Sequence, residues 1–509
     1  MSKYNQRDLY LILRNDFHVF MKKAFRSINP GEKLSDNWHL RAITHHFDLC
    51  LQGQINRLLI TVSPRSLKSH IGSVCFPAFL LGQNPATKII CASYSQILSE
   101  DFSNQCRLLM SEPWYKDVFP STVLSPIKNT ASEFDTTIHG KRIATSLGGT
   151  LTGRGGDFII IDDINKAADF TSASSRETAN QWFDNTLQSR LNSMKEGCII
   201  VIQQRIHTDD LAGHILKKGD WVHLNLPAIA QEEQIIAIND DGNYHFKKDE
   251  LLHEARLDRD NLEQQRKNVG SYIFSSQYLQ SPVPEEGNLV PVEAFRNFDN
   301  YPIHHKEDLI VHSWDIASGQ GEHNDYSVGT IWLYRYNEYF LLDVVRRKLS
   351  YNELRIEVRR QAQESNVDVL LIEKAGVGIA LIDDLKQGTK INIIAIVPTK
   401  DKVTRMVPGT ADIEAGKVAL PKDALWRAEF EKECAEFPYG KHDDQVDSLS
   451  MFLDWARKRR ETGQDYAILS AGLDALIRPP APTEIRTKED IKNLLWPNVS
   501  RRKKGDNDE

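Results

Sequence analysis

Arg57-Leu-Leu-Ile-Thr-Val-Ser-Pro-Arg-Ser-Leu-Lys-Ser-His70 joins a short, continuous apolar run to a tight turn that ends in Lys68-Ser69. An apolar run without polar alternation suits a strand buried on both faces, as in a parallel sheet covered by helices. The same pattern recurs at Lys88-Ile-Ile-Cys-Ala92, Phe158-Ile-Ile-Ile161 and Cys198-Ile-Ile-Val-Ile202, with longer helix-like segments between. The first half of the chain is therefore predicted to be α/β with a parallel sheet.

The turn after residue 62 has the parts of a phosphate-binding loop. Such a loop needs a strand, a turn whose backbone N–H groups face phosphate, a lysine, and a serine or threonine for magnesium. Lys68 and Ser69 stand where that pair belongs, with Arg65 and Ser66 in the turn. Val62 and Leu67 occupy the two positions where G-x-x-x-x-G-K-[ST] has glycine, so the loop alone equally fits an ordinary strand-to-helix turn. Asp162-Asp163, closing the apolar run from Phe158, shifts the balance. A buried strand brings an acid to the carboxyl edge of a sheet, where α/β proteins bind ligands. Asp162 is read as the magnesium carboxylate and Asp163 as the group that orients or deprotonates the attacking water. Arg154, in the glycine-rich Gly148-Gly-Thr-Leu-Thr-Gly153-Arg154-Gly-Gly-Asp157, is a candidate γ-phosphate cation, in cis or from a neighbouring subunit. Gln204 and Arg205, after the run ending at Ile202, are candidates for sensing that phosphate.

A second α/β pattern begins near Leu309. Strand-like runs at Leu309–Ala317, Ser327–Arg335 and Tyr339–Val345 precede a helix at about 350–365, a strand Val367–Glu373, another helix and a strand Ile391–Val397. The last helix opens at His442-Asp-Asp. Asp315, Glu373 and the group Asp443, Asp444 and Asp447 thus fall on two strands and a helix start. An acid on an apolar strand is unusual unless paired, capped or metal-bound. Carboxylates converging from three elements form the donor set of a two-metal phosphodiesterase that takes Mg²⁺ or Mn²⁺. Within the last group Asp444 is favoured as a ligand, because a helix N-terminus aims its early side chains at the sheet edge. The bland alternative makes Asp315 a loop cap and Asp443 a helix N-cap. The basic run Lys400-Asp-Lys402-Val-Thr-Arg405 is read as a grip on the DNA backbone beside these acids.

Around these motifs the chain divides into five parts. Residues 1–55 are a helical lead-in with apolar positions such as Leu9, Leu11, Leu13 and Phe17–Phe20. Residues 56–230 form the ATPase core, 231–306 a polar subdomain and linker, 307–465 the second α/β domain, and 466–509 a flexible tail. Composition bounds the rest. The 509 residues are 40% apolar and 26% charged with a net charge of −7, which fits an ordinary multidomain globular chain and disfavours static coating of nucleic acid. No apolar run of membrane-spanning length occurs, and MSKYNQRDLY lacks the apolar core of a secretory signal. The six cysteines are scattered without zinc spacing and read as reduced thiols.

Taken together, these stretches resemble the large subunits of tailed-bacteriophage and prophage terminases, over about residues 15–460. The connected stretches are Asn37-Trp-His-Leu, the loop to Ser69, Ala92-Ser-Tyr-Ser95, Gly149-Thr-Leu-Thr-Gly-Arg154-Gly-Gly-Asp, Ile161-Asp-Asp163, Gln204-Arg-Ile-His-Thr-Asp-Asp-Leu211, Leu226-Pro-Ala, and the acids Asp315, Glu373 and His442-Asp-Asp444. The resemblance implies an N-terminal P-loop-type ATPase joined to a C-terminal RNase H-like nuclease. It implies a motor that uses ATP to drive double-stranded DNA into a procapsid and cuts concatemers. Its partners would be the portal protein and a terminase small subunit. It would act as a homo-oligomeric ring during packaging, compatible with a monomer in solution, in the host-cell cytoplasm and transiently at the portal vertex. It also assigns Lys68 and Ser69 to phosphate and Mg²⁺, Asp162 to the metal, Asp163 to catalysis and Arg154 to a trans-acting role. Three departures stand out. Leu67 replaces glycine and, preferring negative φ, is expected to distort the loop and slow or abolish turnover. Asp163 replaces the commoner glutamate, and Gln204 replaces a hydroxyl residue at the coupling position. Three rivals follow: a stand-alone nuclease with a vestigial nucleotide site, a helicase or repair translocase fused to a nuclease, and a non-catalytic protein of the capsid vertex. No helicase motifs follow residue 211, and a nuclease pattern starts where a second motor domain would begin.

Overall fold

The computed structural model describes residues 6–166, 172–282, 289–317 and 326–462. The expected tail at 466–509 lies outside them. The chain forms two compact units: one holds the described residues up to 266 together with 271–282, the other 267–270 and those from 289 onward.

The first unit is built on an eight-stranded sheet. Its strands are β1 (Arg57–Val62), β2 (Lys88–Ser93), β3 (Leu124–Asn129), β4 (Glu133–Thr136), β5 (Lys141–Ser146), β6 (Phe158–Asp162), β7 (Cys198–Gln203) and β8 (Val222–Leu226), in the order β3-β4-β5-β2-β6-β7-β1-β8. From β5 to β8 all neighbours are parallel, while β3 and β4 add antiparallel edge strands. Side chains alternate faces along each strand. Leu58, Ile60, Ile200 and Ile202 therefore join one buried cluster, and Leu59, Ile159, Ile199 and Val201 join the other. Both clusters are covered, which explains the unbroken apolar runs. Helices Phe17–Ile28 and Trp38–Leu51 close one face through Phe17, Phe20 and Phe47, packed on Phe76 and Phe79. In the preceding helix, Gln6–Asn15, Leu13 is buried whereas Leu9 and Leu11 are exposed. A hairpin, β9 (Gln234–Asn239) and β10 (Gly242–Phe246), leans on the helix Trp38–Leu51, with Tyr244 stacked on Trp38 at 4.1 Å.

The second unit has a seven-stranded sheet of β11 (Arg296–Phe298), β12 (Leu309–Asp315), β13 (Ser327–Arg335), β14 (Glu338–Arg347), β15 (Val369–Glu373), β16 (Ile393–Ile396) and β17 (Val418–Pro421). The order is β11-β17-β14-β13-β12-β15-β16. β12, β13 and β14 form an antiparallel meander, and the outer strands pair in parallel. The helix Asp444–Glu461 lies on this meander. Ser448 and Ser313 exchange hydroxyl-to-carbonyl hydrogen bonds at 2.8 Å, and Phe452 stacks on Trp332 at 4.2 Å. All six cysteines are buried and free. Among the described residues no helix is long and apolar enough to cross a membrane.

Candidate active sites

In the first unit, β1 and β6 send their carboxyl ends to one edge of the sheet with β7 between them. Buried Lys68 meets both oxygens of Asp163, at 2.7 and 2.8 Å. The hydroxyls of Ser69 and Ser73 donate to the two oxygens of Asp162, at 3.0 and 2.9 Å. The backbone N–H of Gln204 donates to Asp163 Oδ1 at 3.0 Å, so β7 also holds the cluster. Asp162 is 1% exposed. Burial, then neighbouring Asp163, push its carboxyl up to about 7, against the pull of Lys68 and the two hydroxyls. Behind it, fully buried Arg142 donates to the Ser73 carbonyl at 3.0 Å and steadies the turn that carries Ser69 and Ser73.

The loop corrects one expectation. Leu67 does not keep a negative φ; it adopts φ 60°, as does Arg65. The chain thus follows the left-handed path that glycine takes without strain. An L-residue there costs about 1–2 kcal/mol, partly offset by packing of the Leu67 side chain on the core. Ser66 is turned inward, its hydroxyl donating to the Ser63 carbonyl at 2.8 Å.

Two candidates are not brought to this cluster. Arg154 is half exposed and ion-paired with Glu133 at 3.3 Å, in company with Lys128 and Lys141. Arg205 is buried and clamped to Asp210, its Nε 3.0 Å from both carboxylate oxygens. Asp210 in turn caps the helix Leu211–Lys218. Arg205 therefore holds a helix start, and the phosphate-sensing role expected for it has no free guanidinium to act through.

Sequence reasoning missed the cavity beside the loop. A space of about 490 Å³ is lined by Arg65, Ser66, His39, His253, Arg256, Gln265 and Tyr278, among others. Burial, then the nearby charge of Arg65, depress the Arg256 pKa. Burial, then His253 and Arg256, push His39 down to about 3, so it is neutral there. None of the lining residues is acidic. The signal was present in Asn37-Trp-His-Leu: the Asn37 amide donates to the Leu252 carbonyl at 2.6 Å and lies 2.8 Å from His39 Nδ1.

In the second unit Asp315 and Glu373 end the parallel neighbours β12 and β15, with Trp314 level with Ile372. Both carboxylates leave the sheet at the same edge. The helix Asp444–Glu461, fixed by Ser448 on Ser313, brings its first turn there too. Burial, then Asp447, Glu373 and Asp444, raise the Asp315 carboxyl well above the usual range. Of the three helix-start acids, Asp447 is the most enclosed, at 3% exposed, and exerts the largest Coulomb effect on Asp315. Asp443 makes no side-chain cap; its carboxylate takes Lys402 at 2.7 Å instead. His442 packs edge-on against Tyr326.

The basic run lies inside the acid cluster. Lys402 also reaches Asp447 at 2.7 Å, and Arg405 binds Glu373 at 3.0 Å and Asp447 at 2.9 Å. Burial opposes the charge on Lys402, but Asp443 and Asp447 outweigh it and its pKa rises. The donors are all carboxylate oxygens, which suits a hard divalent cation. With both cations in place, however, no group of three or more His, Cys, Asp or Glu among the described residues is set as a metal cage.

Comparisons with known proteins follow the same division. A comparison with curated protein sequences finds no match. Among solved structures the chain is similar to the large terminase of a thermophilic bacteriophage, at 10% identity and TM-score 0.48, covering 85% of this chain and 98% of that one. It is similar to the HK97 bacteriophage large terminase, at 10% identity and TM-score 0.35, covering 86% and 99%. It is also similar to the large terminase nuclease of thermophilic phage G20c with bound magnesium, at 18% identity and TM-score 0.28, covering 34% and 98%. The terminase RNaseH-like domain family matches residues 312–455, the stretch that carries Asp315, Glu373 and the helix-start acids. That match falls within the second unit and supports the resemblance to terminase large subunits drawn from the motifs.

Proposed function

We propose that the chain is an ATP-driven DNA-packaging motor with its own metal-dependent endonuclease, the nucleotide site in the first unit and the nuclease in the second. The observation that carries it is the convergence of Asp315, Glu373 and Asp447 within the matched domain, on a chain whose other unit joins Lys68-Ser69 to Asp162-Asp163. Packaging fits a chain that must both move DNA and cut it.

In the first unit, Lys68 would exchange Asp163 for a nucleotide phosphate held at the turn after β1. Asp163, released, would accept the proton of the attacking water, and Asp162 with Ser69 would hold Mg²⁺. The acid-free cavity lined by Arg65 and Arg256 would take the remaining part of the nucleotide. In the second unit Asp315, Glu373 and Asp447, with Asp443 or Asp444, would hold Mg²⁺ or Mn²⁺. Such ions supply the charge that stabilises the attacking and leaving oxygens of a phosphodiester. Double-stranded DNA, the portal protein and a terminase small subunit are the proposed partners, with a homo-oligomeric ring as the working form.

The test is Mn²⁺-dependent cleavage of plasmid DNA by wild type and Asp315→Ala, with ATP hydrolysis followed in the same tubes. Cleavage lost in the variant with ATP hydrolysis intact is the expected result. ATP hydrolysis absent from the wild type, alone and with DNA and portal protein, would leave a nuclease without a motor and overturn the packaging assignment.

A further inference from the structure

The helix Lys402–Glu414 starts at Asp401, whose side chain caps the Thr404 amide, and places Lys402 and Arg405 three residues apart on one face. Lys402 bridges Asp443 and Asp447, and Arg405 bridges Glu373 and Asp447. Together the two cations touch Glu373, Asp443 and Asp447, of which Glu373 and Asp447 act on Asp315. A divalent ion drawn to those oxygens needs lone pairs that the ammonium and guanidinium now hold. Two like charges within a few ångströms of each other in a half-buried pocket repel strongly. Metal and Lys402 therefore exclude one another at Asp447. Lys402 is also the cation able to leave: its side chain is 47% exposed, against 16% for Arg405. A DNA phosphate beside the pocket offers it an equivalent anion.

We propose that Lys402, seconded by Arg405, is a displaceable counter-cation that holds the nuclease acids in a metal-free resting state. A phosphodiester that draws Lys402 away raises the affinity for the divalent ion, and by linkage the ion raises affinity for DNA. The nuclease is thereby kept unloaded until DNA lies against it. This inference rests on the metal-dependent nuclease reading of the second unit.

It is tested by titrating full-length protein with Mn²⁺, without nucleotide, and following free Mn²⁺ by its electron paramagnetic resonance signal. Wild type, Lys402→Gln and Lys402→Arg are compared, with thermal melts to show that each is folded. Lys402→Gln is expected to bind Mn²⁺ about tenfold more tightly, near 1.4 kcal/mol, and Lys402→Arg to behave as wild type. A cleavage-resistant phosphorothioate duplex is expected to tighten Mn²⁺ binding by wild type and to have little effect on Lys402→Gln. Binding lost in Asp315→Asn places the ion in the second unit. Equal or weaker affinity in Lys402→Gln overturns the inference and leaves the nuclease reading standing. Mn²⁺ bound by none of the proteins overturns both.

Discussion

Leu67 sets the residue-scale problem of this chain, a bulky side chain on a backbone path that glycine follows without strain. Its γ-branched chain tolerates φ 60° at a cost, whereas a β-branched residue there is a genuine outlier. Leu67→Ile conserves volume and isolates the backbone term. It is expected to lower stability by about 1–2 kcal/mol and to weaken ATP binding, read by thermal melting and by nucleotide titration. Unchanged affinity for ATP would mean that the loop does not need this backbone path. Arg205 makes the complementary point. Its guanidinium is buried against Asp210, and breaking a buried pair from one side costs about 3–5 kcal/mol. Arg205→Met is expected to lose stability on that scale in chemical denaturation while its folded fraction keeps the wild-type rate of ATP hydrolysis. From sequence, Arg154 and Arg205 are equivalent candidates, because an arginine's partner is invisible until the chain folds. Lys68, Ser69, Asp162 and Asp163 were legible because a strand end and the turn after another strand leave little choice of position.

Elements were legible where one period dominated. The fully buried strands β1, β2, β6 and β7 stood out as apolar runs. Strands β3, β4 and β17 did not: β3 is a largely exposed edge strand, and β4 and β17 are only four residues long. Within β13, Gly329 lies opposite Trp314, and a Cβ on it would come within 2.5 Å of the indole. Gly329→Ala is expected to destabilise the second unit by about 1–3 kcal/mol, read as a lowered melting temperature. The helix Trp38–Leu51 carries a pH dependence. Burial, then Asp16 and Asp240, raise Asp48 to about 7, whereas its unfolded value is 3.8. The folded state thus favours the protonated acid. That contribution is complete below about pH 3.8 and is lost as pH rises through about 7. Asp48→Asn is expected to melt about 2–4 °C higher than wild type at pH 8 and at the same temperature at pH 3.5. A difference that does not change with pH would assign the effect to packing.

At the scale of the whole molecule, each of the two units has its own large sheet with buried clusters of its own. Calorimetry is expected to resolve two transitions, with Gly329→Ala lowering one and Arg205→Met the other. Activity should divide in the same way. Lys68→Ala is expected to lower ATP hydrolysis by about 10²-fold or more while Mn²⁺-dependent cleavage persists, and Asp315→Ala to do the reverse. Loss of both activities in either single variant would show that the two sites work only as one.

By itself the sequence determined what depends on local order: α/β class from apolar runs, a turn ending in Lys68-Ser69 after a strand, and strand-end acids at Asp162, Asp315 and Glu373. Each follows from period and position along the chain, which nearest neighbours already specify. Tertiary structure alone decided what depends on partners distant in sequence. It put Lys402 and Arg405 among the acids around Asp315, made Asp447 the most enclosed of the three helix-start acids, and tied Arg154 and Arg205 to Glu133 and Asp210. It also gathered His39, Arg65 and Arg256 around one cavity. Charges act through space and through the dielectric around them, and neither is written in the order of residues.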